Sequence, residues 1–337
     1  MTFMTAERAA LAETVRDFTA DQIAPSLDLW EREGELPRDL HKQAAALGLL
    51  GVGYPEEVGG SGGDLCDVIV VTESVLAAGG SGGVIAGLFT HGIAIPHIID
   101  SGNEDLIDAW VRPVLAGEKI ACLGVTEPGG GSDVANLRTR ADESGDSWVL
   151  NGAKTFITSG ARADVAVVAA RLRGAPGAAG IGLFAVPTDQ PGFQVTSRLE
   201  KMGWHCSDTA EIGLVDARAE LITDEGFASL ARHFATERLS LGVSGYATAA
   251  RCVDLTREWI RARETFGRPL SPAGGPAHLR GDEPSHRCRA LIRPPARRRW
   301  GGLCPRRHLR QADRRELRGL RHRPCSAVVR RDGLRAW

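Results

Sequence analysis

Glu237 and Arg238 are adjacent charged residues that interrupt an apolar helix face late in the first 270 residues. Leu230, Phe234 and Leu241 recur at a helical spacing and predict that face. A carboxylate in a dry, apolar site has a raised pKa and can act as a general base near neutral pH. The alternative is a structural ion pair that anchors the helix, and the residues alone favour that alternative.

The segment from Leu123 to Asp133, LGVTEPGGGSD, is a second candidate for chemistry. A short β-rich run ends here in a Pro-Gly turn, and the glycines allow a ligand to approach the backbone closely. Two hydroxyl residues, Thr126 and Ser132, flank the turn. The segment therefore predicts a ligand-contacting loop, with a tight hairpin as the alternative.

This segment resembles the V-T-E-P-x-x-G-S-D signature of the acyl-CoA dehydrogenase family. Three further family-like motifs follow in the family's order, and they begin at Lys154 (KTFITSG), Lys201 (KMGWHCSDTAE) and Arg261 (RARETFGRP). The resemblance covers residues 1 to about 270. It implies an α+β fold with an N-terminal α-helical domain, a middle β-barrel-like domain and a truncated C-terminal helical bundle.

The periodicity along the chain agrees with that organisation. Leu11, Val15 and Phe18 predict an early helix, short β-rich runs begin near Ile120, and a long helix is predicted from Gly226. We therefore expect four segments: a helical domain (1–118), a β domain (119–225), the first part of a helical domain (226–270) and an arginine-rich tail with no compact fold (271–337).

The resemblance also implies FAD as the cofactor and assigns residues to its binding. Leu123, Val125 and Thr126 would lie against the flavin, with Thr126 near its reactive nitrogen. Gly131 and Ser132 would approach the FAD pyrophosphate or the pantetheine arm. The remaining cofactor contacts implied by the motifs are Phe156, Thr158, Arg263 and Thr265.

For the reaction, the resemblance implies α,β-dehydrogenation of a longer or branched acyl-CoA to the trans-2-enoyl-CoA. Glu237 would be the catalytic base, because long-chain and isovaleryl-type members carry their glutamate directly before an arginine on this helix. Arg238 and Ser132 would contact the substrate. An electron-transfer flavoprotein or a similar acceptor is the implied partner, and intact members of the family are homo-oligomers. A flavin monooxygenase or nitroalkane oxidase reaction on the same fold is an alternative.

The charge of the chain is divided between two regions. Residues 1–270 hold 23 Lys and Arg against 37 Asp and Glu, whereas residues 271–337 hold 18 Arg and 5 acidic residues. We hypothesise a frameshift near Ser271, because out-of-frame reading of a GC-rich gene gives this composition. Such a change would make catalysis doubtful. The alternative function is a non-catalytic relic or binding protein whose basic arm contacts nucleic acid or an acidic partner, and nucleic acid is the less favoured partner.

The overall composition is that of an ordinary globular chain, with 43% hydrophobic and 25% charged residues. No signal-peptide pattern or membrane span is recognised, which predicts a cytoplasmic protein without membrane contact. Seven cysteines without a C-x-x-C pair indicate free thiols. No metal site is expected, because the tail residues that could suggest zinc lack zinc-site spacing; they are His286, Cys288, Cys304 and His308.

Overall fold

The structure is a computed structural model that describes residues 3–270, apart from residues 173, 174 and 176. The predictions for the tail, namely the absence of a compact fold, the frameshift, the basic arm and the lack of zinc-site spacing, concern residues 271–337. They lie outside the described residues.

The first part of the chain is helical. Residues Thr19–Ile23 and Ile107–Val111 form π-helical turns that continue or join helices. The α-helices are Ala6–Phe18 (α1), Leu27–Glu33 (α2), Arg38–Ala46 (α3), Leu65–Ala77 (α4), Gly82–Leu88 (α5), His91–Ser101 (α6), Glu104–Leu106 (α7) and Arg112–Leu115 (α8).

Local sequence explains where the helices begin. The Thr5 side chain caps α1, and Asp64 caps α4 in a reciprocal capping box with Asp67. The helix predicted from the early apolar spacing is confirmed as α1, in which Val15 and Phe18 are buried. These side chains pack with α3, α4 and α5 in one hydrophobic core.

One helical segment among the described residues, Gly82–Ser101, is long and apolar enough to cross a membrane by length and composition, and 61% of its most apolar window is buried inside the protein. In the fold it comprises α5 and α6. Ile95 and Ile98 of α6 are fully buried in the core that α6 shares with the β domain. The segment is thus a core element here.

The middle of the chain forms a seven-stranded sheet. Its strands are Ala121–Gly124 (β1), Arg140–Ser144 (β2), Ser147–Thr158 (β3), Val165–Leu172 (β4), Ile181–Pro187 (β5), Phe193–Arg198 (β6) and Thr209–Thr223 (β7).

The sheet closes on itself. Strand β4 pairs with β2 on one edge and β5 on the other, and the ring continues through β3 and β7. Closure leaves no free edge within this ring. Strands β4 and β5 are apolar and buried along nearly their whole length, as strands covered on both faces require. The β-barrel-like middle domain expected from the resemblance is confirmed.

The last long element is a 37-residue helix, Gly226–Ala262 (α9), followed by a small hairpin of Glu264–Thr265 (β8) and Arg268–Pro269 (β9). Leu230 is buried and Phe234 is partly buried, as the apolar spacing predicts. Leu241 is 55% exposed, so this part of the predicted stripe is not packed by the described residues. Val243 and Ala247 are buried there instead.

A buried ion pair connects the helical part to the barrel. Arg162, which follows β3, pairs with Asp208 at 2.9 Å, and both side chains are almost fully buried. The Arg162 guanidinium also donates to the carbonyl oxygens of Leu36 and Gly87 in the helical part. These bonds fix the end of β3 beside α5 and the residues that precede α3.

Candidate active site

A cavity of about 550 Å³ lies between α4, α5, α6, the end of β3 and α9. Most of its wall is apolar, which is typical of a site for a hydrophobic ligand. The residues that line it include Val68, Val71, Ile85, Phe89, Thr90, Ile93, His97, Thr158, Phe234, Glu237 and Leu241.

Glu237 contributes a carboxylate to this cavity from α9. The side chain is half-buried, and burial raises its pKa, while the charge of Arg238 acts in the opposite direction. No ion pair joins Glu237 to Arg238 in the described part of the chain, and Arg238 is exposed outside the cavity lining. The arrangement therefore suits a general base better than a structural ion pair.

The loop after β1 is joined to β3 by its backbone. The Thr155 N–H donates to the Thr126 carbonyl at 2.9 Å, which places the two motifs side by side. Glu127 and Gly130 exchange two backbone hydrogen bonds and form a tight turn. A β-carbon on Gly131 would lie 2.9 Å from Thr126 Cγ2, so a side chain here would displace the threonine. The glycine is needed at that close approach.

A buried ion pair is bonded to this loop. Lys154 Nζ lies 2.9 Å from Glu127 Oε1 and also donates to the Val125 carbonyl at 3.1 Å. Glu127 accepts three more hydrogen bonds, from the backbone N–H groups of Arg138 and Thr139 and from the Thr139 hydroxyl. The positive charge and these donors hold the pKa of Glu127 at about 2.

Phe156 lies on a bulge of β3 next to this loop. Its backbone has a φ of 60°, which is rare for a bulky residue, and its side chain is 68% exposed. An exposed aromatic residue on a strained backbone is a candidate for contact with a planar ligand.

The other predicted residues lie in different environments. Val125 is buried, and Leu123 packs partly against the core, so their side chains belong largely to the core. Gly131 and Ser132 are exposed on the loop surface. Thr158 lines the cavity. The structure thus brings Thr158 and Glu237 to one cavity. It places Thr126 beside Thr155, the neighbour of Phe156 in β3, through a backbone hydrogen bond.

The comparison with known proteins extends over all three parts of this arrangement. Family models of the acyl-CoA dehydrogenase N-terminal, middle and C-terminal domains match residues 5–118, 122–217 and 224–275. The chain belongs to the acyl-CoA dehydrogenase family.

Individual acyl-CoA dehydrogenases show how much of the family's length is present. The chain is 35% identical over 274 residues to the mitochondrial long-chain specific acyl-CoA dehydrogenase of Rattus norvegicus, a match that covers 79% of this chain and 63% of that protein. The chain therefore spans less than two thirds of the length of this curated relative.

Two solved structures illustrate the shared fold. A protein from Mycobacterium smegmatis that is assigned to the acyl-CoA dehydrogenases has 56% sequence identity and a TM-score of 0.77, covering 80% of this chain and 71% of that chain. A glutaryl-CoA dehydrogenase from the same species, solved in complex with FADH2, has 31% identity and a TM-score of 0.71, covering 80% of this chain and 69% of that chain.

Arg263 and Thr265 are not brought to the cavity. They follow the end of α9, whereas Glu237 lies near its middle. At 1.5 Å per residue, Arg263 is roughly 40 Å along the helix from Glu237. Their predicted contact with FAD stays a prediction.

Sequence reasoning gave no role to Glu127 and Lys154, although both occur in the quoted motifs. The available signal was a lysine inside a β-rich run of the sequence, since a buried charge there needs a partner. It also overlooked His97 and His233, which line the cavity. Among the described residues, no group of three or more His, Cys, Asp or Glu side chains could hold a metal ion.

Proposed function

We propose that this chain catalyses FAD-dependent α,β-dehydrogenation of an acyl-CoA thioester to the trans-2-enoyl-CoA. Glu237 is the proposed catalytic base. The observation that carries the proposal is the Glu237 carboxylate in a largely apolar cavity, with its pKa raised by burial. A base that removes the weakly acidic α-proton of a thioester needs such a raised pKa.

Residues of the loop and of β3 fit a flavin. Phe156 offers an exposed aromatic face, and Thr126 is held beside β3 by its carbonyl. The M. smegmatis glutaryl-CoA dehydrogenase with FADH2 supports the same cofactor for this chain. FAD, when bound, supplies the acceptor for the hydride that leaves the β-carbon. We assign Leu123, Val125, Gly131, Ser132 and Thr158 as further cofactor contacts at this place. The FAD contacts of Arg263 and Thr265, which lie beyond the end of α9 and far from Glu237, are proposed from the resemblance alone.

The protein's own groups have separate tasks in this reaction. A carboxylate oxygen of Glu237 takes the α-proton, and the apolar walls keep water away from the thioester. Ser132 and Arg238 are the proposed substrate contacts outside the acyl cavity, because both are exposed. The Glu127–Lys154 pair holds the loop that carries Thr126 and Ser132.

The cavity supports a longer or branched acyl group as substrate. Its volume of about 550 Å³ is in the range of sites that enclose drug-sized ligands. The similarity to a long-chain specific acyl-CoA dehydrogenase points the same way. We assign the re-oxidation step to an electron-transfer flavoprotein or a similar acceptor.

The activity of the 337-residue chain is proposed to be low. Leu241, Leu255 and Trp259 on α9 are 55%, 46% and 59% exposed among the described residues. Exposed apolar side chains on one helix favour association or loss of local order. This weakens the element that carries Glu237.

The test is spectroscopic and uses the purified full chain. FAD is added, unbound FAD is removed, and a long-chain acyl-CoA is added without oxygen. Bleaching of the bound-flavin absorption together with an enoyl-CoA product that lacks two hydrogens supports the proposal. A flavin-containing chain that forms no enoyl-CoA from acyl thioesters of any length contradicts it.

A further inference from the structure

A histidine one helical turn before Glu237 belongs to the same cavity wall. His233 and Glu237 both lie on α9, and both line the cavity. Residues four apart on a helix share a face, with Cβ atoms about 5–6 Å apart. The His233 side chain is 21% exposed, so a ligand can reach it. Groups within a few bonds of an α-carbon at Glu237 therefore come close to His233.

Asp100 fixes one nitrogen of this imidazole. His233 Nε2 lies 2.9 Å from Asp100 Oδ2. An ionised carboxylate only accepts hydrogen bonds, so Nε2 carries a hydrogen and donates it to Asp100. The ring also packs edge to face on His97, with ring centres 4.7 Å apart. These two contacts hold the orientation of the imidazole.

The other ring nitrogen, Nδ1, is open to a ligand. It has no hydrogen-bond partner among the residues that the structure describes, and it is not enclosed as Nε2 of the neighbouring His97 is. Nδ1 accepts a hydrogen bond in a neutral imidazole and donates one in a charged imidazole. An amide group suits both states, because its N–H donates and its carbonyl oxygen accepts.

The polar side chains around His233 lead from the cavity wall to the surface. His97 is buried, the His233 side chain is 21% exposed, that of Asp100 36% and that of Arg232 63%. An alkyl chain is held best by the apolar walls, whereas the CoA part of the ligand is large, polar and extends into solvent. The His233 side of Glu237 therefore suits the thiol arm of the ligand.

We propose that His233, oriented by Asp100, hydrogen-bonds through Nδ1 to the pantetheine amide nearest the sulfur and so positions the thioester at Glu237. The proposal rests on the proposed function, since it takes acyl-CoA as the ligand and Glu237 as the base. An ethylene group separates this amide from the sulfur, so the amide lies a few bonds from the α-carbon. This separation matches one helical turn between His233 and Glu237.

Three variants of His233 separate its two nitrogens. His233→Asn keeps a hydrogen-bonding atom near the position of Nδ1, whereas His233→Gln keeps one near Nε2 and so retains the contact with Asp100. His233→Phe keeps a ring and removes both nitrogens. Asp100 is not left without a cation in any of them, because Arg232 pairs with it at 2.6 Å. Arg232→Met is the matched control, since Arg232 contacts Asp100 but does not line the cavity.

The experiment measures binding to the purified, FAD-loaded full chain by calorimetry without oxygen. The ligands are octanoyl-CoA and an analogue in which an ethylene group replaces the amide nearest the sulfur. We expect the wild type and Arg232→Met to bind octanoyl-CoA about fivefold more tightly than the analogue. His233→Phe and His233→Gln are expected to lose this preference, and His233→Asn to keep part of it.

The ratio of the two affinities within each variant separates recognition of the amide from structural damage. A purely structural role of His233 would weaken both ligands equally and leave the ratio unchanged. The same preference in His233→Phe as in the wild type overturns the proposal while leaving the dehydrogenase function intact. A wild type that binds no acyl-CoA overturns both.

A measurement on the unaltered chain guards against a misfolded variant. Nitrogen-15 NMR of the histidine side chains reports the hydrogen bonding of each ring nitrogen. We expect the Nδ1 signal of His233 to move when octanoyl-CoA binds and to move clearly less with the analogue that lacks the amide. Equal movement with both ligands, or no movement with either, overturns the proposal.

Discussion

Replacement of Lys154 by methionine tests the role of the buried Glu127–Lys154 ion pair in the loop after β1. Lys154 is fully buried, and its ammonium group contacts Glu127 at 2.9 Å and the Val125 carbonyl at 3.1 Å. Methionine retains most of the volume but leaves Glu127 charged and without its cation. Breaking a buried pair in this way costs about 3–5 kcal/mol.

The lower end of that range is expected. Glu127 keeps three hydrogen-bond donors from Arg138 and Thr139, so its carboxylate stays partly satisfied. A loss of about 3 kcal/mol corresponds to a fall in melting temperature of roughly 6–12 °C for a domain of this size. The double variant Lys154→Met/Glu127→Gln removes both charges, and we expect it to recover at least about 1 kcal/mol.

Urea denaturation followed by circular dichroism measures these free energies of unfolding, and flavin retention is measured on the same samples. Lys42→Met is the matched control, because Lys42 is exposed and its ion pair with Asp39 is 3.7 Å long. We expect the control to change stability by less than about 1 kcal/mol. A Lys154→Met chain as stable as the control would refute the assigned role of the pair.

Two further predictions concern pH and backbone conformation. Burial lowers the pKa of His41 to about 3 and of His91 and His97 to about 4, whereas the unfolded chain titrates near 6.5. Between pH 6.5 and pH 4 the unfolded state therefore binds more protons than the folded state. The free energy of unfolding falls as pH drops through this interval, by up to about 1.4 kcal/mol per pH unit for each histidine. Urea denaturation midpoints that do not change across this interval would contradict the prediction. Gly117 has a φ of +73°, and a β-carbon there would lie 2.4 Å from the His41 carbonyl oxygen, whereas Gly102 has a φ of +64° with nothing within 4 Å. Gly102→Ala is expected to lower the free energy of unfolding by about 1–2 kcal/mol through backbone strain alone, and Gly117→Ala by clearly more. Equal melting temperatures of the two variants would contradict a cost from the contact with the His41 carbonyl.

Local sequence patterns predicted well an element with one buried face, such as α1, and the strands buried on both faces. The spacing of Leu11, Val15 and Phe18 gives α1, and the apolar runs give β4 and β5. In these cases burial and periodicity carry the same information. The closure of the barrel came from the resemblance, because strand pairing between β4, β2 and β5 depends on contacts far apart in sequence.

The candidate site was predictable only in part. The sequence indicated the proposed base Glu237 as a charge on an apolar helix face. The structure adds the cavity that surrounds it. The exposure of Leu241 could not be predicted, since helix periodicity does not state which neighbours cover a face. The orientation of His97 depends on Ser229, 132 residues away in the chain, so no local pattern could indicate it.

Removal of the α-proton is the central step, and isotope exchange measures it directly. The FAD-loaded chain is incubated with a long-chain acyl-CoA in deuterium oxide without oxygen, and deuterium at the α-carbon is followed by mass spectrometry. Glu258→Gln, an exposed change on the same helix, is the control. If Glu237 is the base, the wild type and the control exchange the α-proton, and Glu237→Gln slows exchange by roughly 100-fold or more with FAD still bound. Exchange at the wild-type rate in a flavin-containing Glu237→Gln chain would contradict the account.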